Sequence, residues 1–199
     1  MNATTVEAGR QPAQEGVATK AKAGGAILEG IGGIAVIALA IVGLVGVLSL
    51  EMAAIATIVL GAAVLVEGGS FAASHREMWS TKWGYFARAA EWSQGLSAEF
   101  LGAVAGIVLG ILALLGSSPV TLLSVAAIVY GGTFAFSGMG GSGVGNRAAI
   151  GLAGLVLGIL AVCGLASLPL VLVALICLGA ATLFTGAATS ATVAAERLT

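Results

Sequence analysis

Apolar residues fill long runs of this chain, and the polar residues are confined between them. Six runs, at roughly 26–49, 52–72, 97–116, 120–137, 148–166 and 169–188, are apolar on all sides. Each is about 17–25 residues long, which is what a helix needs to cross the ~30 Å hydrocarbon core of a bilayer. Membrane strands would need alternating segments of about ten residues, and these runs are longer and do not alternate. In lipid the backbone must satisfy its own hydrogen bonds, so continuous helices follow. The pattern predicts an all-α integral membrane protein with six transmembrane helices.

The runs are repeated. AGIVLGILALLGSSPVTLLSVAAIVYGGTFAFSG (Ala105–Gly138) recurs without a gap as AGLVLGILAVCGLASLPLVLVALICLGAATLFTG (Ala153–Gly186), an offset of 153 − 105 = 48 residues. Each copy is an apolar helix, a tight bend with Pro119 or Pro169, and a second apolar helix ending G-x-x-x-x-F-x-G. A looser first copy lies upstream. Gly33–Gly43 aligns with Gly106–Gly116 at an offset of 73, and Gly61–Gly68 aligns with Gly131–Gly138 at 70. Those two offsets predict three extra residues near the first bend. Repeats of this kind define the architecture. The expected unit is a helical hairpin used three times in pseudo-threefold arrangement, over 25–73, 97–138 and 148–188, within a membrane domain of residues 25–190. Residues 1–24 and 191–199 read as cytoplasmic tails, the first of them flexible.

Composition and charge sharpen this picture. Hydrophobic residues make up 59 % of the chain and charged residues 9 %, against about 25 % charged in an ordinary soluble domain, so a water-soluble fold is excluded. With six spans, all eight basic residues (Arg10, Lys20, Lys22, Arg76, Lys82, Arg88, Arg147, Arg197) fall on the face shared by both termini. The opposite bends, expected at Ser49–Glu51, Ser117–Pro119 and Ala166–Pro169, have no Lys or Arg. Loops rich in Lys and Arg stay cytoplasmic, which places both termini on the cytoplasmic side. An odd number of spans would scatter the charges over both faces.

The ionisable residues near the spans are the first candidates for chemistry. Glu29 and Glu99 sit at the expected cytoplasmic starts of spans 1 and 3, where a helix N-terminus favours negative charge; an ion or proton ligand is the alternative. Glu51 falls at an outer bend. Glu67 lies 15 residues past Met52, about 22 Å along a helix at 1.5 Å per residue. Ionisable groups within spans are costly and tend to mark pathways or pairings. Its repeat equivalents are Ser137 and Thr185, so Glu67, Ser137 and Thr185 form a candidate intramembrane polar site. A carboxylate reaching the interface to pair with Arg76 or water is the other reading.

The 75–95 connection, HREMWSTKWGYFARAAEWSQG, holds all three Trp residues. On a helix, Trp79, Trp83, Phe86 and Ala90 share one face, and Glu77, Thr81, Gly84 and Arg88 another. This reads as a helix in the interface plane, anchoring the chain or docking a partner. In span 3, Gly102, Gly106 and Gly110 recur every four residues, and span 5 repeats this with Gly154 and Gly158. Small residues at that spacing let membrane helices approach closely, within the chain or between chains. Cys163 and Cys177 are expected to be buried free thiols.

Several classes of function are excluded. There is no Asp and only one His, His75. No carboxylate pair, Cys/His cluster or nucleophile with a general base is present, and acid–base or nucleophilic catalysis needs such groups. The glycine-rich loop Gly138–Gly145 lacks both the preceding strand and the Lys-Ser/Thr of a phosphate-binding loop. The net charge of −1, with no basic patch, excludes a nucleic-acid partner. The expected partners are the lipid bilayer and a second copy or a larger membrane complex; no enzyme activity, metal or cofactor is indicated.

The repeated frame, with GIVLGILAL or GLVLGILAV, a bend with Pro and a helix closing on Gly-x-x-x-x-Phe-x-Gly, resembles the short-repeat family of the acid-resistance membrane protein HdeD. The resemblance covers about residues 25–188 and is best in the second and third copies. It implies a small bacterial inner-membrane protein of six spans in three hairpins, associated with acid stress, and it supplies no catalytic residues. Three functions remain open: a non-enzymatic membrane protein of this type supporting acid tolerance, an accessory subunit packed in a larger membrane complex, and a small proton or ion channel or transporter using Glu67.

Overall fold

A computed structural model describes residues 3–74, 96–138 and 145–196, with side chains described over 24–66, 98–138, 147–188 and 190–191. The described residues are all helical apart from tight turns. The helices are α1 (Ala3–Leu44), α2 (Ser49–Ser74), α3 (Leu96–Leu114), α4 (Pro119–Gly138), α5 (Gly145–Val162) and α6 (Ser167–Glu196). Four of them contain a stretch long and apolar enough to cross a membrane: Gly24–Leu44, Ser49–Val66, Pro119–Gly138 and Ser167–Ala188. The apolar stretches of the other two helices, taken over the described side chains, are Ala98–Leu114 and Arg147–Val162. At 1.5 Å per residue they extend about 25 Å.

Helix α1 begins at Ala3, within the stretch read as the N-terminal tail, and runs on into the apolar stretch. The segment is rich in Ala, Glu, Gln and Lys, all good helix formers. The outer bends also come earlier than expected. Each is a four-residue turn, at 45–48, 115–118 and 163–166. The second residue of each turn is a glycine in the left-handed region, Gly46 (φ 93°), Gly116 (φ 83°) or Gly164 (φ 86°). The amides of these glycines donate to the carbonyls of Gly43, Ala113 and Ala161 respectively, each at 3.1 Å. Glycine takes this conformation without the Cβ clash of other residues, which is why it closes helices. Leu48, Ser118 and Ala166 follow at φ 46°, 47° and 44°, and their carbonyls accept the first bonds of the next helix, from Met52, Leu122 and Leu170.

These features correct the alignment of the first copy. Helix ends at Leu44, Leu114 and Val162 are 70 and then 48 residues apart (114 − 44, 162 − 114). Helix starts at Ser49, Pro119 and Ser167 give the same spacings. The three extra residues expected near the first bend are therefore absent. The 73-residue offset slid one helix by nearly a turn, a shift that still set glycine against glycine.

The helices close into a ring. Helix α1 packs on α2, α2 on α3, α3 on α4, α4 on α5, α5 on α6, and α6 on α1. The even helices α2, α4 and α6 also touch one another, so they occupy the middle. The core lies along their contacts and includes Leu60, Leu123, Tyr130, Phe134, Leu172 and Leu178, each at most 1 % exposed. The odd helices lie outside and turn large apolar side chains outward, among them Ile31, Ile34, Leu101, Val108, Val156 and Ile159.

Glycines on the even helices set the separation between successive helix pairs. A Cβ on Gly61 would stand 2.9 Å from the carbonyl oxygen of Ala103 in α3, one on Gly131 would stand 2.8 Å from that of Gly151 in α5, and one on Gly179 would stand 3.0 Å from that of Gly33 in α1. Donor and target positions follow the 70 and 48 spacings. A second set lies seven residues on: a Cβ on Gly138 would come within 2.7 Å of Ala148, and one on Gly186 within 2.6 Å of the Ala26 carbonyl oxygen. Adjacent glycines should therefore respond oppositely to substitution. Gly131→Val drives atoms into the α5 backbone, which no rotamer relieves, and should cost about 3 kcal/mol. At Gly132 the nearest atom to an added Cβ is 3.6 Å away, so Gly132→Ala should be neutral or stabilising by up to about 1 kcal/mol. Thermal unfolding midpoints in detergent check both signs.

Candidate functional site

The buried and part-buried charged residues described lie on the odd helices, two of them near a helix start. Glu99 lies in the first turn of α3, and Arg147 is the third residue of α5. They form an ion pair, with an Arg147 nitrogen 2.9 Å from Glu99 Oε1; the two side chains are 18 % and 10 % exposed respectively. The guanidinium also lies 4.9 Å from the centre of the Phe134 ring, a cation–π contact with a fully buried aromatic of α4. The cluster thus joins α3 and α5 across the even helix between them. At the N-terminal end of α5 the helix dipole disfavours a cation, and Glu99 offsets this.

Glu29 is the third member of this set by position. The 70 and 48 spacings carry residue 29 onto 99 and 99 onto 147 (29 + 70, 99 + 48). Each lies four residues before the carbonyl that an even-helix glycine approaches, those of Gly33, Ala103 and Gly151. Glu29 is 2 % exposed. It does not sit at a helix N-terminus, as the sequence suggested, because α1 starts 26 residues earlier, at Ala3. A buried carboxylate is costly unless it interacts. Each helix pair therefore brings one charged residue, Glu, Glu or Arg, to the same level.

Of the candidate polar site at Glu67, Ser137 and Thr185, two hydroxyl groups are described. The Ser137 hydroxyl donates to the Phe134 carbonyl at 3.3 Å, and that of Thr185 to the Ala181 carbonyl at 2.9 Å. Both are bonds back to the parent helix. The Glu67 backbone is helical within α2, but its side chain lies outside the described residues. Trp79, Trp83, Phe86 and His75 also lie outside them, in the 75–95 connection.

The middle of the bundle is closed by a tyrosine. Tyr130 is fully buried, and its hydroxyl donates to the Thr57 carbonyl of α2 at 3.0 Å. Its ring and hydroxyl fill the space that a side chain on Gly61 or Gly106 would take. The Thr57 hydroxyl donates to Ala53 at 2.7 Å, and that of Ser124 to Val120 at 2.8 Å. These buried hydroxyls are thus satisfied within the core.

The glycines singled out from the sequence fall on more than one interface. Gly102 and Gly106 lie against Thr133 and Tyr130 of α4, and Gly154 against Leu178 of α6, each within its own helix pair. Gly110 meets Ile58 and Ala54 of α2, and Gly158 meets Ile128 of α4, across the join to the preceding pair. The cysteines depart from expectation. Cys163 is exposed because it is the first residue of the third turn, and Cys177 is half-buried within α6; both are free thiols. No group of three or more metal-ligating side chains occurs among the described residues.

Comparisons with known proteins return no matching family model, no similar curated protein and no similar solved structure. The geometry of this chain therefore carries the functional reading.

The Glu99–Arg147 pair can be tested by substitution. Removing one partner of a buried pair typically costs about 3 kcal/mol or more, whereas replacing both with apolar residues is often close to neutral. Glu99→Ala should lower the unfolding midpoint in detergent clearly. The double variant Glu99→Leu/Arg147→Leu should recover most of the loss, and a double-mutant cycle measures the coupling.

Proposed function

We propose that this chain is an integral protein of the bacterial inner membrane with six spans, folded as three repeated hairpins about a pseudo-threefold axis, with both termini cytoplasmic. We further propose that it acts without catalysis, as a membrane protein of the HdeD type supporting acid tolerance. The observation that carries the architecture is the set of three equivalent glycine approaches, Gly61 to Ala103, Gly131 to Gly151 and Gly179 to Gly33. Three unrelated helix pairs would not place one contact at one pair of positions three times. The outward apolar faces of the odd helices support lipid as the surrounding medium, since soluble monomers rarely expose contiguous apolar patches this large. The two shorter helices cross with their charged first turns at the cytoplasmic interface, where Arg147 obeys the positive-inside rule.

The packed axis favours a structural over a conducting role. A channel or transporter needs a wet or polar path, whereas Tyr130, Phe134 and the core leucines fill the middle. A second reading, an accessory subunit in a larger membrane complex, is favoured by one observation. Phe136 and Phe184, equivalent residues of α4 and α6, are 70 % and 61 % exposed and would present aromatic anchors to a neighbouring helix.

The test is survival at low pH. Deletion should reduce survival of acid challenge, and wild type and Glu67→Gln should restore it equally. Unchanged survival after deletion would remove the acid-tolerance role. Failure of Glu67→Gln to complement would return the transport reading. Co-purification of the chain with a stoichiometric partner would favour the accessory subunit.

A further inference from the structure

We draw no further inference here: the strongest candidate, the side-chain cluster of Glu29, Glu99 and Arg147 on the odd helices, belongs to the site already described, where Glu99 and Arg147 hold each other.

Discussion

The bundle depends on how closely one helix backbone can approach another. In the membrane setting proposed above, apolar side chains gain little by leaving one apolar medium for another, so helices are held by packing and hydrogen bonding. That packing requires the absence of side chains at the points of contact. Gly61, Gly131 and Gly179 meet this need at the three joins between helix pairs, each lying against a carbonyl of the next odd helix. Because the last join returns to α1, no pair is left at an open edge. The even helices are thereby held in the middle, and Tyr130 can bridge α4 and α2 through a single bond to Thr57.

Upon this near-symmetric frame the charged residues are distributed unequally. Positions 29, 99 and 147 are equivalent by spacing, yet they hold two acids and a base. Glu99 and Arg147 satisfy each other across α4. Phe134, which the guanidinium overlies, corresponds to Val64 and Thr182 in the other pairs (134 − 70, 134 + 48). The symmetry is therefore broken where charge must be accommodated, and the change is coordinated between helices. Buried ion pairs can fix register and pairing more than they add stability, and this one distinguishes the second and third pairs from the first. Ile150, where the other pairs carry Gly32 and Gly102, is a second break, confined to the third pair.

Much of the architecture was legible in the sequence. The ungapped match of 105–138 with 153–186 shows a helix, a bend and a helix, and the structure has helices with a turn between them at those places. The first copy was misread because glycine is frequent along span 1. Aligning Gly33 with Gly106 satisfied the pattern but displaced the helix by three residues, and it set Glu29 opposite Gly102 instead of Glu99. With that register the equivalence of 29, 99 and 147 was invisible. The left-handed glycines at 46, 116 and 164 restore it, since a turn tolerates far fewer substitutions than a helix face. The sequence also drew attention to glycines of the odd helices at four-residue spacing. The recurring contact between pairs uses glycines of the even helices at seven-residue spacing, 131 with 138 and 179 with 186. That signal was present in the closing G-x-x-x-x-F-x-G frame, but a partner contact cannot be read from one strip of sequence.

Closure of the ring is the claim on which the rest stands, and distances between the outer turns test it most directly. Val45, Leu115 and Cys163 are equivalent first residues of the three turns, and all are exposed. Spin labels placed pairwise at these positions, with Cys163 replaced where it is not labelled and Cys177→Ala throughout, give three distances from the full chain in detergent. A closed threefold bundle predicts that the three coincide within the width of the label distributions. A separation between 45 and 163 well beyond the other two would mean that the pairs lie in an open row, and would contradict the account.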